Sequence, residues 1–190
     1  ASAAEQNYSS HISENESNYI LNEYINDFTK LDEEIKSSSQ SKTLNLTKDY
    51  VFNCDNDQKY ASGISIDIDD LTIDGQGHTI DANSQSRVFN VNSNNVTLKN
   101  LVITNAKSDS YGGAIYWDMG GCNITKSRFI NNTASAGGAV YDGHAHYCTF
   151  SGNTAGSDGG AMCYGISVNC TFIGNTAGQR GGAKWKGGAQ

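Results

Sequence analysis

Two adjacent stretches, "GGAVYDGHAHYCTFSGNTAGSD" (137–158) and "GGAMCYGISVNCTFIGNTAGQR" (159–180), have the same length and share 12 of 22 positions. A unit this short cannot close a core of its own, so its copies must bury their apolar faces against one another. The kept residues recur beyond the pair. Gly-Gly-Ala begins at 112, 137, 159 and 181, and Phe129, Phe150 and Phe172 keep nearly the same step. Helical solenoids need about 33–47 residues per unit, and leucine-rich repeats need a leucine consensus that is absent. The fold expected is all-β: a parallel β-helix of about 22–25 residues per coil. Successive coils of such a fold stack about 4.8 Å apart.

In that fold, equivalent residues of successive coils form columns. Phe129, Phe150 and Phe172 are expected to stack inside, with Ile103 as a smaller predecessor. Leu71 should lie over Val96, and Ile73 over Leu98. Cys148 and Cys170, two positions before their Phe, should point inward as small fillers with free thiols. Asn132, Asn153 and Asn175 are expected at a turn, bonding amide to amide as a ladder. The Gly-Gly pairs permit sharp corners. Absence of Pro from all 190 residues suits continuous backbone ladders, because Pro removes a donor.

The N-terminal part differs. Residues 1–15 are polar and aperiodic, as in a disordered leader. Ile20, Tyr24, Phe28, Leu31 and Ile35 then recur at helical spacing, with Leu21 and Ile25 widening the stripe. Glu23, Asp27, Lys30, Glu33 and Glu34 occupy the other face, "SENE" (13–16) offers a capping box, and "SSSQS" (37–41) ends the pattern. This predicts an amphipathic helix over about 16–36, within a segment 16–40 that caps the first coil. Coils are expected from 41 to 190, with further repeats beyond the Gly-Gly-Ala at 181.

Composition narrows the function. Net charge is −7, and no Lys/Arg cluster stands out, which argues against nucleic acid and anionic membranes as partners. No apolar run is long enough to span a bilayer. The five cysteines (54, 122, 148, 163 and 170) show no zinc-ligand spacing, and neither a metal nor a cofactor is expected. N-x-[ST] sequons at Asn7, Asn15, Asn45, Asn95, Asn123, Asn131 and Asn169 allow glycosylation if the chain is exported.

The segments "LTIDGQGHTIDA", "VFNV" and "NNVTLKNLVITNA", with the later units "GGAIYW…FINNTA" and "GGAVY…CTFSGNTA", resemble the adhesin-like surface proteins of methanogenic archaea. The pairing of GGA[I/V] with FxxN is similar to repeats of chlamydial polymorphic outer-membrane proteins. The resemblance covers about residues 16–190. It implies an exported, modular cell-surface protein that binds cells or other surfaces through protein or glycan. It also implies a right-handed β-helix, in line with the general preference for right-handed crossovers.

Other readings stay open. β-Helices include polysaccharide lyases and glycoside hydrolases, which need paired carboxylates and a base. The densest acidic stretch here is Asp67, Asp69, Asp70, Asp74 and Asp81, with acids alternating with apolar residues. His144 and His146 lie near Asp142 and match Ile166 and Val168 of the next unit; if those aliphatics face inward, so do the histidines. Tyr116, Trp117, Tyr141, Tyr147, Tyr164 and Trp185 are candidate ligand-binding residues, as an exposed stripe with Tyr111. Alternatively Tyr116, Tyr141 and Trp185 are one packed column with Cys163 filling the missing rung. A passive stalk is the third reading.

Overall fold

The computed structural model describes residues 26–117 and 122–186. The expected leader over 1–15, the first half of the expected helix and the "SENE" box lie outside the described residues. Within them the chain forms one helix, α1 (Phe28–Ser37), and short strands that pair only in parallel.

Three strand columns of six wind around one core. The first contains Thr43–Asn45, Thr72–Asp74, Thr97–Lys99, Asn123–Thr125, His144–His146 and Ile166–Val168. The second runs from Tyr50–Val51 through Thr79–Asp81, Val102–Thr104, Arg128–Ile130 and Thr149–Ser151 to Thr171–Ile173. The third runs from Ile64–Ile66 through Phe89–Val91, Ile115–Trp117, Val140–Tyr141 and Met162–Cys163 to Lys184–Trp185. A fourth, short column stacks Thr133–Ala134, Thr154–Ala155 and Thr176–Ala177. Thr43, Thr72, Thr97, Asn123, His144 and Ile166 share one register, so the first coil is longer than the expected 22–25 residues and later ones are near it. The first coil is also the one that carries the 3-10 turn Gln58–Tyr60.

Alternation sets which residue enters the core. The second column stacks Tyr50, Ile80, Ile103, Phe129, Phe150 and Phe172 inward. Neighbouring phenyl rings lie 4.9 and 5.1 Å apart and within 9° of parallel. Beside Phe150 and Phe172 the first column shrinks, from Ile73, Leu98 and Ile124 of the earlier coils to Ala145 and Ser167. Core volume is thereby kept level along the axis. The same alternation decides which way the histidines face, because the condition for turning them inward is not met. Ala145 and Ser167 face inward, so His144, His146, Ile166 and Val168 face out.

Corners explain the richness in Asn and Gly. Each turn between columns needs one left-handed residue, where Gly carries no Cβ penalty and Asn is the next most tolerant. One corner column reads Asn100, Lys126, Tyr147 and Asn169; the next reads Asn105, Asn131, Gly152 and Gly174. The left-handed residue is thus the one before each ladder asparagine, not the ladder asparagine itself. In Gly-Gly-Ala the two glycines serve different needs. Gly137 has φ 62°, whereas a Cβ on Gly138 would lie 2.1 Å from the carbonyl oxygen of Gly160 in the next coil.

Asn132, Asn153 and Asn175 do form a ladder. Asn132 Nδ2 donates to Asn153 Oδ1 at 2.9 Å, and Asn153 Nδ2 to Asn175 Oδ1 at 2.8 Å. The same oxygens accept the backbone N–H groups of Asn132 and Asn153, while the amides also reach the carbonyls of Ile103 and Phe129. Cys148 and Cys170 are free thiols at a corner. They do more than fill space: Cys148 donates to the His146 and Ile124 carbonyls, and Cys170 to those of Val168 and Ala145. Ser127 holds the equivalent place one coil earlier, accepting from Leu101 N–H.

Helix α1 covers the first coil. Phe28, Leu31 and Ile35 join the core, and Phe28 meets Phe52 edge-on at 5.3 Å. Asp27, expected on the solvent face, is instead the buried N-cap, accepting from Lys30 N–H. The fully buried Asp57 carboxylate accepts from Phe28 N–H, Thr29 N–H, Thr29 Oγ1 and Asn53 N–H, all at 2.8–2.9 Å. This places a negative charge where the helix dipole favours it and satisfies its acceptors.

Candidate functional site: an aromatic file beside a polar groove

The acidic stretch forms a row of side-chain pairs along the coils. Each acid is tied to an Asn about one coil further on: Asp67 to Asn92, Asp69 to Asn94, Asp70 to Asn95, Asp74 to Asn100 and Asp81 to Asn105. Burial opposes the charge on Asp74. The Asn100 amide, Gln76 N–H and Lys99 outweigh it and hold the carboxyl below its ordinary value. Among the described residues no group of three or more His, Cys, Asp or Glu side chains is arranged to hold a metal ion.

The aromatic residues do come together. Outward positions of the third column read Asn90, Tyr116, Tyr141, Cys163 and Trp185 in register. The packed column with Cys163 at the missing rung is therefore present. Tyr164 restores the ring. It follows Cys163 with φ 62°, a costly conformation for so large a side chain, and meets Tyr141 edge-on at 5.3 Å and Trp185 at 5.7 Å. At the other end Tyr111 stacks on Tyr141 at 4.7 Å and on Tyr116 at 6.4 Å. The result is a file of five rings along the axis, with Tyr111 47% exposed and the other four half-buried. Burial raises the Tyr141 phenol to about 12, so it stays neutral and able to donate.

Cations flank the file. Arg180 lies over Trp185 at 4.1 Å while paired with Asp158 at 2.7 Å, and Lys186 lies over the same indole at 4.5 Å. Lys184 continues the inward register from Met162, and its Nζ reaches Ser167 Oγ at 3.3 Å. Two candidate residues lie elsewhere. Trp117 is 1% exposed: Tyr116 points out, so Trp117, one residue on, points into the core above Val91. Tyr147 is 62% exposed but occupies a corner column away from the file.

Beside the file lies an open groove of about 520 Å³. Its walls are residues 84–85 of one coil and residues 107–110 of the next, with Ser62 at one end. Its floor is Arg87, 6% exposed. The guanidinium donates to the carbonyls of Gly112, Ser62 and Tyr111 and to the hydroxyls of Ser108 and Ser110. It also lies 5.1 Å from the Tyr116 ring, joining groove to file. Sequence reasoning missed Arg87. The lone Arg after "NSQS" carries no periodic signal.

No helix among the described residues is long and apolar enough to cross a membrane. Residues 147–161 match the Chlamydia polymorphic membrane protein repeat. No curated protein and no solved structure gives a significant match. Residues 22–141 match the family described as pectate lyase-like adhesive domain, a stretch that takes in most of the first four coils and well over half of the 190 residues. The chain belongs to the pectate lyase-like adhesive domain family.

Proposed function

We propose that this chain is a non-enzymatic attachment segment of a cell-surface protein, meeting glycan or protein on another cell or surface. The observation that carries this reading is the file Tyr111, Tyr116, Tyr141, Tyr164 and Trp185, which keeps aromatic surface half-exposed over four coils. Rings of this kind supply large contact area at low conformational cost. Their mutual stacking uses much of each face, so edges and phenol hydroxyls meet the partner. Family membership supports an adhesive role.

Polysaccharide cleavage is the weaker reading. It needs two free carboxylates, or a calcium-binding set with a nearby base, in one cleft. Asp67, Asp69, Asp70, Asp74 and Asp81 are each engaged with an asparagine, and Arg87 spends its donors on the groove's own backbone and serines.

The experiment is retention of the purified chain on whole cells and on an immobilised glycan panel, beside Tyr164→Ala and Trp185→Ala. Binding that weakens in both variants supports the proposal. Binding that both variants keep in full, or release of shortened polysaccharide by the wild-type chain, overturns it.

A further inference from the structure

We infer that the groove floored by Arg87 is a saccharide subsite for a neutral, hydroxyl-rich oligosaccharide, an assignment that rests on the attachment reading. The groove is built by a mismatch in length between neighbouring coils. Lys107 pairs with Thr133 and Tyr111 with Ala136 across the next coil. Three residues on this coil therefore face two on its neighbour, and residues 108–110 bulge outward as the groove's lip. Opposite them Asn83 and Ser84 are both left-handed, with φ 50° and 58°, lifting the second wall.

Arg87 fixes the two walls relative to each other. It bonds carbonyls of Ser62, Tyr111 and Gly112, and the hydroxyl oxygens of Ser108 and Ser110 accept from its Nη2. A hydroxyl whose oxygen accepts keeps its proton to give away. Ser108 Oγ and Ser110 Oγ also bond each other at 3.3 Å, so one of the two O–H groups is spent on its neighbour and the other is left for a ligand at the lip.

The lip carries both signs. Lys107 and Asp109 flank Ser108, both are exposed, and neither takes part in an ion pair. One is donor-only and the other acceptor-only. A vicinal diol presents both a donor and an acceptor to such a pair, whereas an anionic sugar would gain Lys107 but meet Asp109 as a like charge, with the Arg87 guanidinium beneath already engaged by carbonyls and hydroxyls. The chain's net charge of −7 adds to that discrimination. Beside the lip, Tyr111 offers an exposed ring directly following Ser110.

The test is a titration of the whole chain with neutral oligosaccharides from a printed panel, and with uronate- or sulfate-bearing ones of equal length. Wild type is compared with Lys107→Ala and Asp109→Ala, whose exposed side chains hold no intramolecular bond that folding needs. The expected result is binding of neutral oligosaccharides that weakens about tenfold in each variant, the worth of one charge-assisted hydrogen bond. Neutral binding unchanged in both variants overturns the assignment, as does binding confined to acidic sugars. Cell binding that persists and remains sensitive to Trp185→Ala, with no oligosaccharide bound, overturns the groove while leaving the attachment reading standing. Loss of all cell binding by wild type strikes that reading itself.

Discussion

Asn132 and Asn153 sit one coil apart, and a single oxygen, Asn153 Oδ1, accepts both the side-chain and the backbone N–H of Asn132, at 2.9 and 3.0 Å. Both residues are fully buried. Replacing Asn153 by Ala strips two donors at once and frees the Phe129 carbonyl that its amide had satisfied. Each buried group left unmade costs about 1–3 kcal/mol, so a loss of about 3 kcal/mol or more is expected from denaturant midpoints. A loss below about 0.5 kcal/mol, the range of ordinary surface changes, would contradict the ladder.

Phe150 lies between two stacked rings and is wholly buried, whereas Phe172 at the last described coil is half-buried. Phe150→Ala should cost about 3–5 kcal/mol, the range for a buried phenylalanine. Phe172→Ala should cost clearly less. Thermal unfolding of the two variants checks the order, and equal shifts would mean that the two rings are buried alike.

The cap is held by one carboxylate. Asp57→Asn keeps the size but turns an NH2 group toward one pair of donors, either Phe28 N–H and Asn53 N–H at one oxygen or Thr29 N–H and Oγ1 at the other. About 2–3 kcal/mol should be lost, as for a hydrogen-bonded charge. Hydrogen exchange at Phe28 and Thr29 should quicken more than at Ile103 in the coils. Uniform acceleration would show that cap and coils unfold as one unit.

Acid should loosen the early coils. Asp74 titrates below its ordinary 3.8 when folded, because Asn100, Gln76 N–H and Lys99 outweigh burial, and Asp49 does so through Thr79 N–H and His78. A depressed folded value means stability that is complete above about pH 5 and lost as pH falls below the unfolded value and through the folded one. Asp74→Asn should therefore unfold with a shallower dependence on pH between about 5 and 3. An unchanged slope would place the acid-sensitive group elsewhere.

Much of this architecture was legible because a solenoid turns a repeated letter into a column. Phe129, Phe150 and Phe172, the three asparagines and the Gly-Gly-Ala corners repeat, and each repeats for one physical reason. The site was only half legible. Tyr116, Tyr141 and Trp185 share a register, yet Tyr164 enters the file from a left-handed corner one residue out of step. Trp117 was misjudged by residue type, although alternation in Ile115–Trp117 gives Ile115 and Trp117 one face and Tyr116 the other. Asp57 and Arg87 occur once each, at a cap and at a lip, where no repetition marks them. The acid–asparagine pairs did leave a signal, since Asp67, Asp69 and Asp70 precede Asn92, Asn94 and Asn95 by a constant 25 residues.

Attachment, rather than spacing, is the central claim. Beads coated at equal density with the wild-type chain, or with a chain in which Tyr111, Tyr141, Tyr164 and Trp185 are all replaced by Ser, separate the two directly when mixed with cells. The coils should survive this change, because the substituted rings lie outside the inward columns. Wild-type beads should attach and the substituted beads, still folded by circular dichroism, should wash away. Folded substituted beads that attach as firmly as wild type would contradict it.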